Sequence, residues 1–279
     1  MSADNPAVAD DVTEPPVKLV ATDLDGTLVR TDGTISERSR RALQATEASG
    51  RSVVFVTGRP PRWMHEVAEA TGHTGLAICS NGALRYDLHT EQVVGGSPLD
   101  PATMAKVAAR LRAAIPGLAF AVEYGDAFAH EPDYRHTYDL GVDAVVGQVD
   151  QIVELEAAKM LARHSELHPD DLLAQAVEAA GDLATFTHSA SAADGLLEIS
   201  AFGVTKASGL AELAGELGIG PEEVVAFGDM PNDLAMLEWA GHSVAVANAH
   251  PSVRAAADEI TVSNDDDGVA VVLERLLAR

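Results

Sequence analysis

The chain has 279 residues, enough for one large or two modest domains, and is 47 % hydrophobic with only 4 % aromatics, so its core is built mainly from Ala, Val and Leu. Nineteen Lys and Arg against 43 Asp and Glu give a formal charge of −24, a field that repels nucleic acid and anionic membranes and argues against both as partners. The single cysteine, Cys79, rules out an internal disulfide framework and fits a reducing cytoplasm, and no apolar run reaches the ~18 residues of a membrane span.

Residues 1–16 are acidic, contain prolines and lack the apolar stretch of a secretory signal, so they read as a disordered tail. An apolar run (Val17, Leu19, Val20, Ala21) then stops at Asp23 and Asp25, followed by Gly26 and Thr27. This is a buried strand that delivers two carboxylates to its C-terminal edge, where ligands bind in open α/β sheets. Two close carboxylates repel unless a cation or a shared proton compensates, which points to a Mg²⁺ site. Taken alone, the same residues also fit a strand ending in an Asp-Gly turn.

Ser36 caps a helix over about 37–49 that Gly50 stops. SVVFV (52–56) is a central strand running into Thr57, Gly58 and Arg59, and a second helix opens at Pro60–Pro61 and ends near Gly72. LAICS (76–80) is a third strand, ending at Asn81 and Gly82. Alternating strands and helices with polar strand ends predict a doubly wound, Rossmann-like parallel sheet.

The texture changes near residue 84. An amphipathic helix starts at Asp100 and Pro101, FAVEY (120–124) alternates like a half-buried strand, and KMLAR (159–163) fits strand or helix. A helix over 170–180 and strands near 184–187 and 196–199 complete an α+β unit. The expected organisation is an α/β core of residues 17–83 and 196–279 with an inserted domain of residues 84–195. The core texture resumes with a helix over 205–218 and a strand, VVAF (224–227), running into Gly228 and Asp229. A helix over 233–240, a strand over 243–247, a short helix over 251–257 and a closing helix over 269–277 finish the chain.

In a doubly wound sheet, strand ends share one edge, so Asp23, Asp25, Thr57, Gly58, Lys206, Asp229, Asn232 and Asp233 can converge. Asp23 and Asp229 offer carboxylates and Asp25 a backbone carbonyl to Mg²⁺, a hard cation that keeps waters and a substrate phosphate in its shell. Thr57 hydroxyl, Gly58 amide and Lys206 can hold phosphate oxygens. Asp233 also fits a plain helix cap, and Arg59 fits either the mouth of the site or a surface ion pair.

DLDGTL (23–28), TGR (57–59), Lys206 in VTKASGL and GDMPNDLAM (228–236) resemble, in order, the four motifs of the haloacid dehalogenase superfamily. SNGA (80–83), VANA (246–249) and DGVA (267–270) are similar to the pattern of its Cof-type (subclass IIB) phosphatases, which carry a cap domain where this chain has its insert. The resemblance implies Asp23 as the nucleophile that becomes an aspartyl phosphate and Asp25 as the general acid and base. It also implies that Leu24 (through its amide), Thr57, Gly58, Lys206 and Asn232 contact phosphate, with Asp233 behind them and Arg59 and Asn81 at the substrate mouth. The implied partner is a small phosphorylated metabolite such as a sugar phosphate or phosphorylated cofactor. A phosphomutase or phosphotransferase, or a non-catalytic phospho-ligand module, are the alternatives, and complete retention of Asp23, Asp25, Lys206 and Asp229 argues against the last. Within the insert, where specificity residues would sit, lie His130, Arg135, His136, His164 and His188; any one of them fits a surface residue better than a ligand, and His130, Arg135 and His188 are the positions chosen to test the insert's role in specificity.

Overall fold

Short β-branched runs between polar turns form the first three strands, β1 (Leu19–Thr22), β2 (Ser52–Val56) and β3 (Leu76–Cys79), parallel and almost wholly buried. The structure is a computed structural model that describes residues 16–136, 139–189 and 195–278; the expected tail therefore lies outside the described residues except for Pro16. A hairpin of β4 (Leu84–Asp87) and β5 (Gln92–Gly96) then runs antiparallel beside β3. The chain next builds a separate sheet from β6 (Ala119–Glu123), β7 (Phe128–His130), β8 (Ala144–Val146), β9 (Lys159–His164), β10 (Ala184–Thr187) and β11 (Gly195–Ala201). It returns with β12 (Val224–Gly228), β13 (His242–Ala245) and β14 (Glu259–Ile260).

The first sheet has the order β14-β13-β12-β1-β2-β3-β4-β5, parallel from β14 through β3. The second has the order β10-β11-β9-β6-β7-β8 and is antiparallel except where β7 meets β8. Helices α1 (Glu37–Ala48), α2 (Met64–Thr71), α3 (Pro101–Ala114), α4 (Val149–Ile152), α5 (Pro169–Ala180), α6 (Lys206–Glu216), α7 (Leu234–Trp239), α8 (Pro251–Ala256) and α9 (Gly268–Leu277) cover the sheets. Leu43 of α1 and Val269 and Leu273 of α9 pack on one face of the first sheet, and Leu210 of α6, Leu237 of α7 and Val253 of α8 on the other. Both faces of its central strands are therefore dry, which is why β1, β2, β3 and β12 read as short apolar runs. Leu111 of α3 and Leu172 of α5 cover one face of the second sheet.

Several expectations need correction. Residues 84–96 extend the first sheet instead of opening the second unit, and β11 carries the second sheet on to Ala201. The texture change at 84 marks a passage from a strand buried on both faces to an edge hairpin whose β5 is mostly exposed. In β11, four consecutive buried residues imitate a strand of the parallel core. β6 is buried at all five positions, not half, because Ala119 and Ala121 pack with Phe128, Tyr134 and Leu140 on the side away from α3. KMLAR is strand β9.

The chain steps outward from β1 to β2 and β3, then re-enters on the other side of β1 at β12. The crevice beyond the C-terminal ends of β1 and β12 is thus the topological switch point at which open α/β sheets bind ligands. Asp23 follows β1, Thr57 follows β2, Ser80 and Asn81 follow β3, and Asp229 follows β12.

Gly82 ties this edge together. Its φ is +102°, and a Cβ there would meet the Thr205 carbonyl oxygen at 2.0 Å, immediately before Lys206. Gly82→Ala is expected to cost about 3 kcal/mol, because backbone must move against backbone in a conformation that disfavours L side chains. A denaturant midpoint equal to that of wild type would contradict this.

Candidate active site

Thr205 caps α6 by accepting a hydrogen bond from the Ser208 amide, and this fixes the helix start that carries Lys206. The lysine is 1 % exposed, and its Nζ lies 2.7 Å from Asp23 Oδ1 and 2.6 Å from Asp233 Oδ1. Asp233 is held in turn by the amides of Asp229 and Met230, which both donate to its Oδ2. Asp229 accepts the Thr27 hydroxyl at 2.7 Å. Residues from three widely separated stretches of chain thereby form one buried cluster.

The cluster is short of positive charge. Asp23, Asp229 and Asp233 place carboxylate oxygens within 4.8 Å of one another around a single ammonium. Burial pushes the Asp23 carboxyl well above the usual range, with Lys206 pulling it back and Asp233 and Asp229 adding to the rise. Burial, then Asp233, pushes Asp229 up to about 7. Lys206 loses hydration too, but Asp23 and Asp233 overcome that and hold it above the ordinary lysine range. Three hard anionic donors with one counter-charge fit a divalent cation. Asp233 has both oxygens committed to Lys206 and the two amides, so Asp23 and Asp229 are the carboxylates with capacity for it.

Asp25 stands outside the cluster. Its carboxylate is 60 % exposed and is clamped by Arg59, whose Nε and Nη2 lie 2.9 and 2.6 Å from the two oxygens. Arg59 is therefore both an ion-pair partner and a lining residue of the site. Thr57 is fully buried, and its Oγ1 accepts the Arg59 amide, which leaves its own proton to donate. Leu24 is buried in the core between the two aspartates, and its carbonyl accepts the amides of Thr27, Leu28 and Val29.

Asn81 is not at the mouth as expected. It is 1 % exposed and lies beneath the site, where its Oδ1 accepts Asn232 Nδ2 at 3.1 Å and its amide donates to Thr57 O. Ser80 and Asn81 both have left-handed backbone, with φ of 51° and 58°, and this tight turn swings the side chain inward.

A cavity of about 360 Å³ opens in front of Asp23 and Asp25. Gly58, Arg59, Trp63, Met230 and Asn232 line the first-sheet side, and Glu123, Lys159, Leu161, Ser189, Leu196 and Glu198 line the second-sheet side. None of His130, Arg135 and His188 lines it. His130 binds the Glu131 carbonyl, Arg135 is exposed, and His188 is buried against Asp170. Sequence reasoning missed the lining of the second sheet altogether. The available signal was a charged residue next to apolar strand residues, Lys159 before MLA and Glu198 between Leu197 and Ile199.

Residues 20–273 match the family described as haloacid dehalogenase-like hydrolase. The chain is 28 % identical to 5-amino-6-(5-phospho-D-ribitylamino)uracil phosphatase YcsE of Bacillus subtilis (strain 168), over 91 % of this chain and 93 % of that one. It is 29 % identical to pyridoxal phosphate phosphatase YbhA of Escherichia coli (strain K12), over 91 % and 96 %. It is also 29 % identical, over 94 % of its length, to the chloroplastic endoribonuclease YBEY of Arabidopsis thaliana, but spans about half, 47 %, of that protein. Among solved structures, the subclass IIB sugar phosphatase BT4131 superposes with a TM-score of 0.78 at 23 % identity, over 93 % of this chain and 98 % of that one, a likeness of fold.

Proposed function

The chain belongs to the haloacid dehalogenase-like hydrolases, and from that premise we propose that it is a Mg²⁺-dependent phosphatase of small phosphorylated metabolites acting through an aspartyl phosphate on Asp23. The observation that carries this reading is the buried Asp23–Lys206–Asp233 bridge beside Asp229, facing a cavity large enough for a phosphate ester. The two relatives that act on a ribitylaminouracil phosphate and on pyridoxal phosphate support small metabolites as the substrate class.

Asp23 and Asp229, with the Asp25 backbone carbonyl, would hold Mg²⁺, which when bound neutralises charge on the phosphoryl oxygens. Lys206 fixes one oxygen of Asp23, so the other is presented to phosphorus. The Asp23 oxygen forms a bond to phosphorus as the ester P–O bond breaks, and the departing oxygen takes a proton from Asp25. Asp25 must leave Arg59 to do this, and its exposed carboxylate lines the cavity where the leaving group would sit. As a carboxylate it then accepts a proton from the water that releases phosphate from Asp23. The Thr57 hydroxyl, the Gly58 amide and Asn232 hold the transferring group. The unit that carries the second sheet acts as a cap that excludes bulk water from the phospho-enzyme.

Phosphate release from a panel of phosphorylated metabolites tests the function. Treatment with EDTA and dialysis is expected to lower the rate by at least about a hundredfold. Mg²⁺ should restore it and Ca²⁺ should not, since Ca²⁺ takes more ligands at longer distance. Full activity in excess chelator would remove the metal from the mechanism.

A further inference from the structure

The cavity wall opposite Asp23 carries charges that are already matched. Lys159, 6 % exposed at the start of β9, places Nζ 2.6 Å from Glu198 Oε1 on β11 and 2.8 Å from the Gly58 carbonyl across the cavity. The other Glu198 oxygen accepts the Ser189 hydroxyl at 2.9 Å. Burial works against the Glu198 carboxylate, but Lys159, with the Ser189 hydroxyl and Lys206, more than offsets this and holds it below the usual range. Glu123, the other carboxylate on this wall, is clamped by both terminal nitrogens of Arg62 at 2.5 and 2.8 Å. On the first-sheet side, Arg59 is paired to Asp25.

Among the described residues, Arg59 and Lys159 are the cations that line the cavity, and both are neutralised at contact distance. Outside the described residues, the sequence contains no Lys or Arg except Arg279. A phosphoryl group is met by Lys206 and the acidic cluster's cation, but a second anion on the leaving group would face Glu198 and Glu123 with no uncommitted cation. Hydroxyl or N–H groups suit this wall, because each carboxylate keeps lone-pair capacity, and apolar faces can pack on Leu161 and Leu196.

We infer that the buried Lys159–Glu198 pair makes the cavity select phosphate monoesters whose leaving group carries no second anionic group. This rests on the phosphatase reading above and narrows its substrate class. Like charges brought together in a desolvated site cost enough to discriminate by about tenfold or more.

The test uses the full chain with Mg²⁺ and matched pairs: glucose 6-phosphate against 6-phosphogluconate and against glucose 1,6-bisphosphate, and glycerol 3-phosphate against 3-phosphoglycerate. Each compound is assayed for turnover and as a competitor of p-nitrophenyl phosphate hydrolysis, so a pair that is not turned over still yields two inhibition constants. The neutral member is expected to have a kcat/KM, or an affinity as competitor, at least about tenfold higher. Glu198→Gln keeps the shape and releases the Lys159 charge, and should shrink or reverse that ratio. Equal or better use of the anionic members by wild type overturns the inference, whether or not Glu198→Gln folds. Hydrolysis of none of these compounds, p-nitrophenyl phosphate included, overturns the phosphatase reading itself.

Discussion

Asp23→Asn is expected to reduce phosphate release by at least about a thousandfold, because an amide nitrogen does not attack phosphorus and the covalent route disappears. The change is nearly isosteric, so the fold should persist. Its effect on the pH dependence of stability has a definite sign. Burial holds the Asp23 carboxyl well above its unfolded value, so the native state binds its proton more tightly than the unfolded chain does. That contribution favours folding at low pH and is lost as pH rises through the native pKa. The amide does not titrate, so in chelator the stability of Asp23→Asn should vary less with pH than that of wild type, while the variant remains inactive. Steady-state turnover within tenfold of wild type would remove Asp23 from the nucleophile's role.

Lys206→Met is expected to lower both stability and rate. Lys206 is the ammonium that meets both Asp23 and Asp233. Removing one partner of a buried pair typically costs about 3–5 kcal/mol, because the remaining charge stays desolvated. Here two carboxylates lose their partner, and one of them anchors the amides of Asp229 and Met230. Turnover should fall at least about a hundredfold through loss of charge stabilisation at the phosphoryl group. Chemical denaturation with Mg²⁺ and with EDTA measures the first effect, and phosphate release the second. A variant as stable as wild type in EDTA would mean that the cluster does not depend on the lysine.

The core of the site was legible because its residues sit where short apolar strands stop. Asp23, Thr57 and Asp229 each follow a run of buried residues, and the parallel order of β1, β2 and β12 puts those ends on one edge. Lys206 was legible from VTKASGL, where Thr205 can cap the helix that follows. Asn81 was misplaced because its burial depends on two successive left-handed residues, and Ser80 and Asn81 do not announce that conformation as glycines would. The far wall was illegible for a different reason. Lys159 and Glu198 meet only because β9 and β11 are antiparallel neighbours in a particular register, with Met160 opposite Ile199 and Leu161 opposite Glu198. Register between strands so far apart in sequence is set by packing of the whole sheet. The polar residues that drew attention in the insert, His130, Arg135 and His188, have other partners or face solvent.

The placement of β1 between β2 and β12 also bears on how the molecule assembles. The second sheet takes all its strands from one continuous stretch, Ala119 to Ala201, so it can complete its pairing among residues already close in the chain. β1 cannot: its partner in register on one side, beginning with Leu19 beside Val224, comes after the whole of the second sheet. Closing so long a loop costs entropy before any contact compensates, and on a ribosome those residues emerge after the second sheet is already out. The order of emergence is Asp23, then Lys206, then Asp229 and Asp233. The ammonium is therefore on hand before the last two aspartates arrive, and the nascent chain never has to gather the three acids without it.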